Sequence, residues 1–257
     1  MPLEAVARRL GHEDATQADI LAMSNHQNTA SIWCSICGGS TFTARPVLWD
    51  SLVDEWQLSP LEREYIDRQQ GKTCVDCGCN LRSIALANAV RSALGLPDTL
   101  QAITSGNVAS NTKCLEINEA GNLSPYLSRM SGYTFGAYPL IDMHALPYAG
   151  DSFDLVVHSD TLEHVSNPIH ALVECRRVLR PGGRLCFTVP AVVGRMTRSR
   201  TGLPRSYHGD PVAALDDYAV HTEFGADMWT YAIVAGFSAV TIHAVAYPDA
   251  TAMSALK

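Results

Sequence analysis

The chain has 257 residues, is 47% apolar and 18% charged, and carries a formal charge of −7. That composition suits a globular protein with ample core material. Its acidity does not favour nucleic acid, where a basic face supplies most of the affinity. No stretch reaches the roughly 18 apolar residues of a membrane span, and the first residues lack the apolar core of a signal peptide. The expected compartment is therefore cytoplasmic. There, paired members of the eight cysteines point to metal or redox chemistry rather than disulfides.

Residues 1–30 form a polar N-terminal segment with weak helical period around Leu3–Leu10. Residues 31–95 form the first organised block. CSICGG at 34–39 opens it, and CVDCGCN at 74–80 closes it before a final helix. Cys34, Cys37, Cys74 and Cys77 make two CxxC knuckles, each followed by a glycine that permits a tight turn. Four thiolates suit a tetrahedral zinc and leave no open position, so the predicted site is structural. Unligated thiols or redox-active pairs are the alternatives. Cys79 could replace Cys77, but the CxxC spacing favours Cys77. The block contains 6 Lys/Arg against 7 Asp/Glu, which weighs against reading nucleic acid with it.

Between the knuckles, Trp49, Leu52, Val53 and Trp56 recur at helical spacing. LSPLEREYIDRQQG follows with Ser59 as N-cap, Pro60 at N1, Glu62 at N3 and Gly71 at its end. After the second knuckle, NLRSIALANAVRSALGLP reads as a helix ended by Gly95 and Pro97.

Residues 96–257 form the larger block. KCLEI, FDLVVHS (153–159) and GRLCFTVP (183–190) read as buried strands. NPIHALVECRRVLRPGG lies between the last two, with Asn167 as N-cap, Pro168 at N1, and Ile169, Leu172, Val173 and Leu179 as its apolar face. That strand–helix–strand unit makes the sheet parallel and the fold α/β. MWTYAIVAGF reads as a further helix and SAVTIHAVAY as a terminal strand.

The segment DMHALPYAGDSFDLVVHSDTLEHVSNPIHALVECRRVLRPGGRLCFTVP (142–190) resembles the class I S-adenosylmethionine-dependent methyltransferases of the type 11 group. The block before it resembles the zinc-ribbon extensions of some such enzymes. The resemblance implies a Rossmann-like sheet with helices on both faces. It places Glu116 near the amino-acid end of S-adenosylmethionine, with the following turn around the methionine and ribose portions. It places Asp142 on the adenine amine, with Met143 and His144 beside the ring. His158, Ser159 and Asp160 would line the methyl-transfer site.

Two departures from that pattern are plain. The family's E/D-x-G-x-G-x-G loop is replaced by Glu116-Ile117-Asn118-Glu119-Ala120-Gly121-Asn122. Gly121, and Asn118 or Asn122, can still adopt a positive φ, and Ala120 is small enough for close approach. Between strands 2 and 3 the chain is also shortened, with only GYTFGAYPLI (132–141) ahead of Asp142. No acid stands near Ala137 or Tyr138 to grip ribose hydroxyls. Glu119 or Tyr138 is the candidate replacement.

Arg195, Arg198, Arg200 and Arg205 in GRMTRSRTGLPRSYHGD (194–210) suggest an anion clamp or a solvated loop. His208, His221 and His158 are candidate bases, with Glu223 beside the substrate, while His164 reads as a loop anchor. Residues 96–257 hold 11 Lys/Arg against 15 Asp/Glu, so the arginine cluster is a local exception. The expected activity is methyl transfer to O or N of a small, anionic or nucleotide-linked metabolite. A non-catalytic assembly protein and an RNA methyltransferase guided by the zinc module are the rival readings. The oligomeric state is left open.

Overall fold

A computed structural model describes residues 32–106, 109, 111–207 and 218–257. The expected helix at Leu3–Leu10 and the candidate base His208 lie outside the described residues. β1 (Phe42–Ala44) leads to α1 (Asp50–Glu55) and α2 (Pro60–Gly71), and β2 (Lys72–Cys74) returns antiparallel to β1. α2 starts with the full capping box: Ser59 Oγ accepts from the Glu62 N–H, and Glu62 accepts from the Ser59 N–H at 2.8 Å.

α3 (Leu81–Leu94) is capped by Asn80, whose side chain accepts from the Ser83 N–H, and ends at left-handed Gly95. It is followed by α4 (Leu100–Ser105), β3 (Lys113–Ile117), α5 (Ser124–Leu127), β4 (Gly132–Gly136) and β5 (Phe153–Ser159). Then come α6 (Pro168–Val178), β6 (Leu179–Thr188), β7 (Ala191–Val192), β8 (Arg198–Ser199) and β9 (Thr222–Gly225). α7 (Trp229–Val234), β10 (Ala239–Val245) and β11 (Ala250–Leu256) complete the chain.

The main sheet runs β10-β11-β6-β5-β3-β4. β4, β3, β5 and β6 are parallel, while β11 is antiparallel to both its neighbours. This is a Rossmann-like sheet with helices on both faces. Alternate side chains serve alternate layers. Cys114, Val157, Cys186 and Ala252 pack under α3, and Leu115, Val156, Leu185, Phe187 and Met253 pack under α6 and α7. Between Gly136 and Phe153 there is no helix or strand, only an Asp142–Ala145 bridge. The shortening after strand 2 is therefore real, and β4 is an edge.

Three details differ from expectation. β11 is a strand, although ATAMSAL has few of the branched residues that favour strands. Its small side chains let α3 pack closely on it, and it is buried along nearly its whole length. β6 begins at Leu179, so the PGG turn is part of the strand's run rather than a break before it. In α6 the buried face is Ala171, Leu172, Cys175 and Val178, whereas Val173 is 41% exposed. Val173 lies one step off the stripe set by the 3.6-residue period.

The cysteine knuckles, α3 and the sheet share a single hydrophobic cluster. The helical insert forms another, in which Leu52, Trp56 and Tyr65 pack with Val192, Val193 and Val220. Among the described residues no helix is long and apolar enough to cross a membrane.

Candidate active site and metal centre

The Sγ atoms of Cys34, Cys37, Cys74 and Cys77 all lie within 4.8 Å of one another. Cys34 and Cys77 approach to 3.6 Å, and Cys37 and Cys74 to 3.7 Å. The two knuckles close in the same way: the Gly38 N–H donates to the Cys34 carbonyl and the Gly78 N–H to the Cys74 carbonyl. Both glycines have positive φ, 91° and 72°, which a side chain would resist. Four thiols so placed match the donor set of a tetrahedral metal. Cys79 stands outside the cluster. Its thiol is directed at the Cys77 and Asn122 carbonyls, 3.8 Å from each, and burial pushes it up to about 11.

The carboxyl ends of β3 and β5 diverge at the point where the strand order reverses. That is where open α/β sheets bind ligands. The loop after β3 is held from inside by Glu116, which is fully buried. Its carboxylate accepts from the Ala120 N–H at 2.7 Å, the Tyr133 hydroxyl at 2.7 Å and the Ser124 hydroxyl. The turn itself uses Asn118 at φ 54° and Gly121 at φ 56°, as the sequence allowed; Asn122 does not take that role. Asn118 accepts from the Tyr138 N–H at 3.0 Å and reaches Thr161 at 3.5 Å. It thereby links the ends of β3, β4 and β5.

The outer side of the loop rests on residues that the sequence did not single out. Asn122 donates its amide to the Gly78 carbonyl at 3.2 Å, and its backbone N–H donates to Ser83 Oγ at 3.3 Å. A Cβ added at Gly121 would come within 3.0 Å of that same oxygen. Arg82, next to Ser83, forms an ion pair with Asp160. The second knuckle and the first turn of α3 thus hold both ligand-facing loops. These partners are 39 to 78 positions apart in the chain, so no local pattern signals them.

After β5, Ser159 shares a 2.7 Å hydrogen bond with Thr188. Asp160 adopts φ 45° and accepts from Thr188 Oγ1 at 3.1 Å. A left-handed aspartate tied down on two sides is the sort of strain that clusters at working sites. Asp142 is half exposed, and its Oδ1 accepts from the His144 N–H and Nδ1. Those bonds hold its carboxyl below the usual range, and both fall on Oδ1. His144 Nε2 accepts from the Asn167 N–H at 3.3 Å, which ties this turn to α6. Met143 is buried, and Glu119 and Tyr138 are exposed at the rim where an acid would stand.

His158 is fully buried against Phe187, and neither ring nitrogen has a partner. Burial alone drives it down to about 3. A neutral ring sealed in the core does not line the transfer site. His221 is exposed; its backbone N–H donates to the Glu163 carbonyl at 2.7 Å. Glu163 is buried, and burial together with the Asp160 charge raises its carboxyl well above the ordinary range. His164 Nδ1 meets the Ala219 carbonyl at 3.2 Å, in keeping with an anchoring role.

The arginine loop has acid partners from elsewhere in the chain. Arg195 pairs bidentately with Glu62, at 2.7 and 2.8 Å, and also donates to the Trp56 and Gln57 carbonyls. Arg198 and Arg200 both pair with Glu223. Arg205 Nη1 is 3.4 Å from the Tyr207 hydroxyl. Arg195, Arg198 and Arg200 thus fasten the helical insert and β9 to the loop instead of converging on open space.

Beside Asp160 opens a cavity of about 390 Å³. The insert supplies one wall through Trp49, Leu52, Trp56 and Ile66, and Val192 and Tyr218 face it. A smaller cavity, about 280 Å³, lies between Arg200, Arg205 and His221.

Residues 123–187 match a family model described as a methyltransferase domain. The matched segment starts just after the altered loop and runs almost to the end of β6. A ubiquinone biosynthesis O-methyltransferase of Roseobacter denitrificans is 38% identical over 63 residues, which are 24% of this chain and 25% of that protein. An uncharacterized methyltransferase of Schizosaccharomyces pombe is 28% identical over 114 residues, 43% of this chain and 39% of that one. The chain thus spans well under half the length of these relatives. A SAM-dependent methyltransferase structure from Thermotoga maritima aligns with 68% of this chain and 89% of its own, at 15% identity and a TM-score of 0.37.

Proposed function

We propose that the chain is an S-adenosylmethionine-dependent methyltransferase that acts on O or N of a small metabolite, with a structural zinc in its cysteine knuckles. The carrying observation is the preserved turn after β3. Glycines are missing, yet Asn118 and Gly121 supply the two left-handed residues and Glu116 fastens the loop from within. Asp142, with one free carboxylate oxygen beside buried Met143, suits an adenine amine. Loop residues 118–121, with Ser159 and Asp160, would hold the remainder. S-adenosylmethionine bound there supplies an electrophilic methyl group. Orienting the acceptor beside it is the main task left to the protein.

The arginine loop gives little support to an anionic or nucleotide-linked acceptor, since three of its guanidiniums are already paired. The net charge of −7 disfavours an RNA substrate. The absence of an acid near Ala137 and Tyr138 favours one rival, a binding protein that keeps the fold without the chemistry.

Calorimetric titration of the metal-loaded protein with S-adenosylmethionine and S-adenosylhomocysteine tests the proposal. Micromolar binding is expected, about tenfold weaker in Asp142→Ala, as for one lost charge-assisted hydrogen bond. No binding of either compound by folded, metal-loaded protein would overturn it.

A further inference from the structure

We infer that the cavity between the helical insert and the strand ends is the acceptor pocket, and that it takes a neutral, ring-bearing apolar molecule carrying a hydroxyl group. This rests on the methyltransferase reading of the neighbouring crevice. Asp160 joins the two sites: its backbone follows β5, and its side chain lines the cavity.

The walls state the shape. Trp49 and Trp56 from the insert face Val192 and Tyr218 across about 390 Å³, a volume within the usual range for small-molecule sites. Flat aromatic walls favour a flat ring. The insert is fastened firmly enough to serve as a wall. Arg195 grips Glu62 and the Trp56 and Gln57 carbonyls, and the Trp56 indole N–H donates to Ser206 Oγ at 2.8 Å. Arg68 binds Asp249 at the other end of α2.

The polar groups state the chemistry. Gln69 lines the cavity and is 3% exposed, and its side-chain amide makes no hydrogen bond among the described residues. Arg82 also lines it, and its Nε is buried without a partner. Polar groups in a cavity wall are normally satisfied, so the Gln69 amide is the group left for a ligand oxygen, while Arg82 Nε is sealed behind the wall. An amide offers both a donor and an acceptor, which suits a hydroxyl. The formal charges of Arg82 and Asp160 cancel, since they pair with each other. A phosphate or carboxylate would find no unpaired cation here and would lose its hydration on entry. A neutral ring with a hydroxyl loses little.

The test uses calorimetry on the metal-loaded full chain with 2-naphthol, naphthalene, 2-naphthoate and ribose 5-phosphate as probes. 2-Naphthol should bind at least about tenfold more tightly than 2-naphthoate, with ribose 5-phosphate silent. Gln69→Leu should weaken 2-naphthol about tenfold and leave naphthalene unchanged, the value of one hydrogen bond. Leu52→Trp should abolish both by filling the space. S-adenosylhomocysteine titrations of each variant report whether the fold and the cofactor crevice survive. If a variant unfolds, the wild-type ranking of the four probes still decides. The inference is overturned if 2-naphthol does not bind, if an anion binds better, or if Gln69→Leu leaves 2-naphthol unchanged in a folded protein. Loss of S-adenosylhomocysteine binding in the wild type, with naphthol still bound, would instead sink the methyltransferase reading.

Discussion

The cysteine knuckles and the loop after β3 are neighbours with opposite designs. Each knuckle carries its instructions locally: two cysteines, a glycine at positive φ and one backbone hydrogen bond. The loop has lost the glycines that usually shape it and takes its form from distant partners. Glu116 and Tyr133 hold it from within, and Ser83 and Gly78 from outside. Where local conformational freedom has been given up, tertiary hydrogen bonds have replaced it. The knuckle is thereby tied to the proposed cofactor site, because Gly78 closes its second half and Ser83 stands at the start of α3.

That contrast can be broken at four points. The largest effect should come from Cys37→Ser, which removes one of the four clustered thiols. The proposed zinc should be lost and Tm should fall by roughly 10 °C or more, since structural metal energy is folding energy. S-adenosylhomocysteine binding should fail with it. Retained binding in a metal-free variant would show the two regions to be independent.

Glu116→Gln attacks the loop and spares the knuckle. One buried carboxylate serving three donors should be worth about 2–3 kcal/mol. Tm should therefore drop by several degrees while zinc content, by elemental analysis, stays the same.

Acid tests the sheet beneath the loop. His158 is neutral in the fold at about 3 and protonates near 6.5 when exposed. Between those values the unfolded chain binds the extra proton, so this contribution is intact above about pH 6.5 and is lost as pH falls. The slope should be up to ~1.4 kcal/mol per pH unit. Glu163, whose carboxyl is raised, acts in the opposite sense, with its stability lost as pH rises above the ordinary carboxylate range. Urea denaturation of the wild type and His158→Leu across pH 7 to 5 isolates the histidine; equal slopes would refute the assignment.

The smallest effect should be that of Asn122→Ala, which cuts only the link between the regions. A loss of about 1 kcal/mol in stability and a few-fold in S-adenosylhomocysteine affinity is expected, with zinc unchanged. No change in affinity would mean that the loop does not need the knuckle's support.

Much was determined by local sequence. The CxxC pairs, the helix caps, the strand–helix–strand unit and the shortened step after strand 2 all depend on neighbours a few positions apart, and such short-range constraints leave a pattern. β11 was illegible because its strand state comes from being packed between α3, β6 and β10, not from its own residues. The arginine loop misled for a related reason: charge is visible in a sequence, but the distant glutamates that neutralise it are not. Gln69 became a candidate only once folding had set it in the cavity wall beside Asp160. Sequence alone marked most of the elements and the residue types that could carry chemistry. Tertiary structure decided which polar groups are already satisfied, and only the unsatisfied ones are left for a ligand.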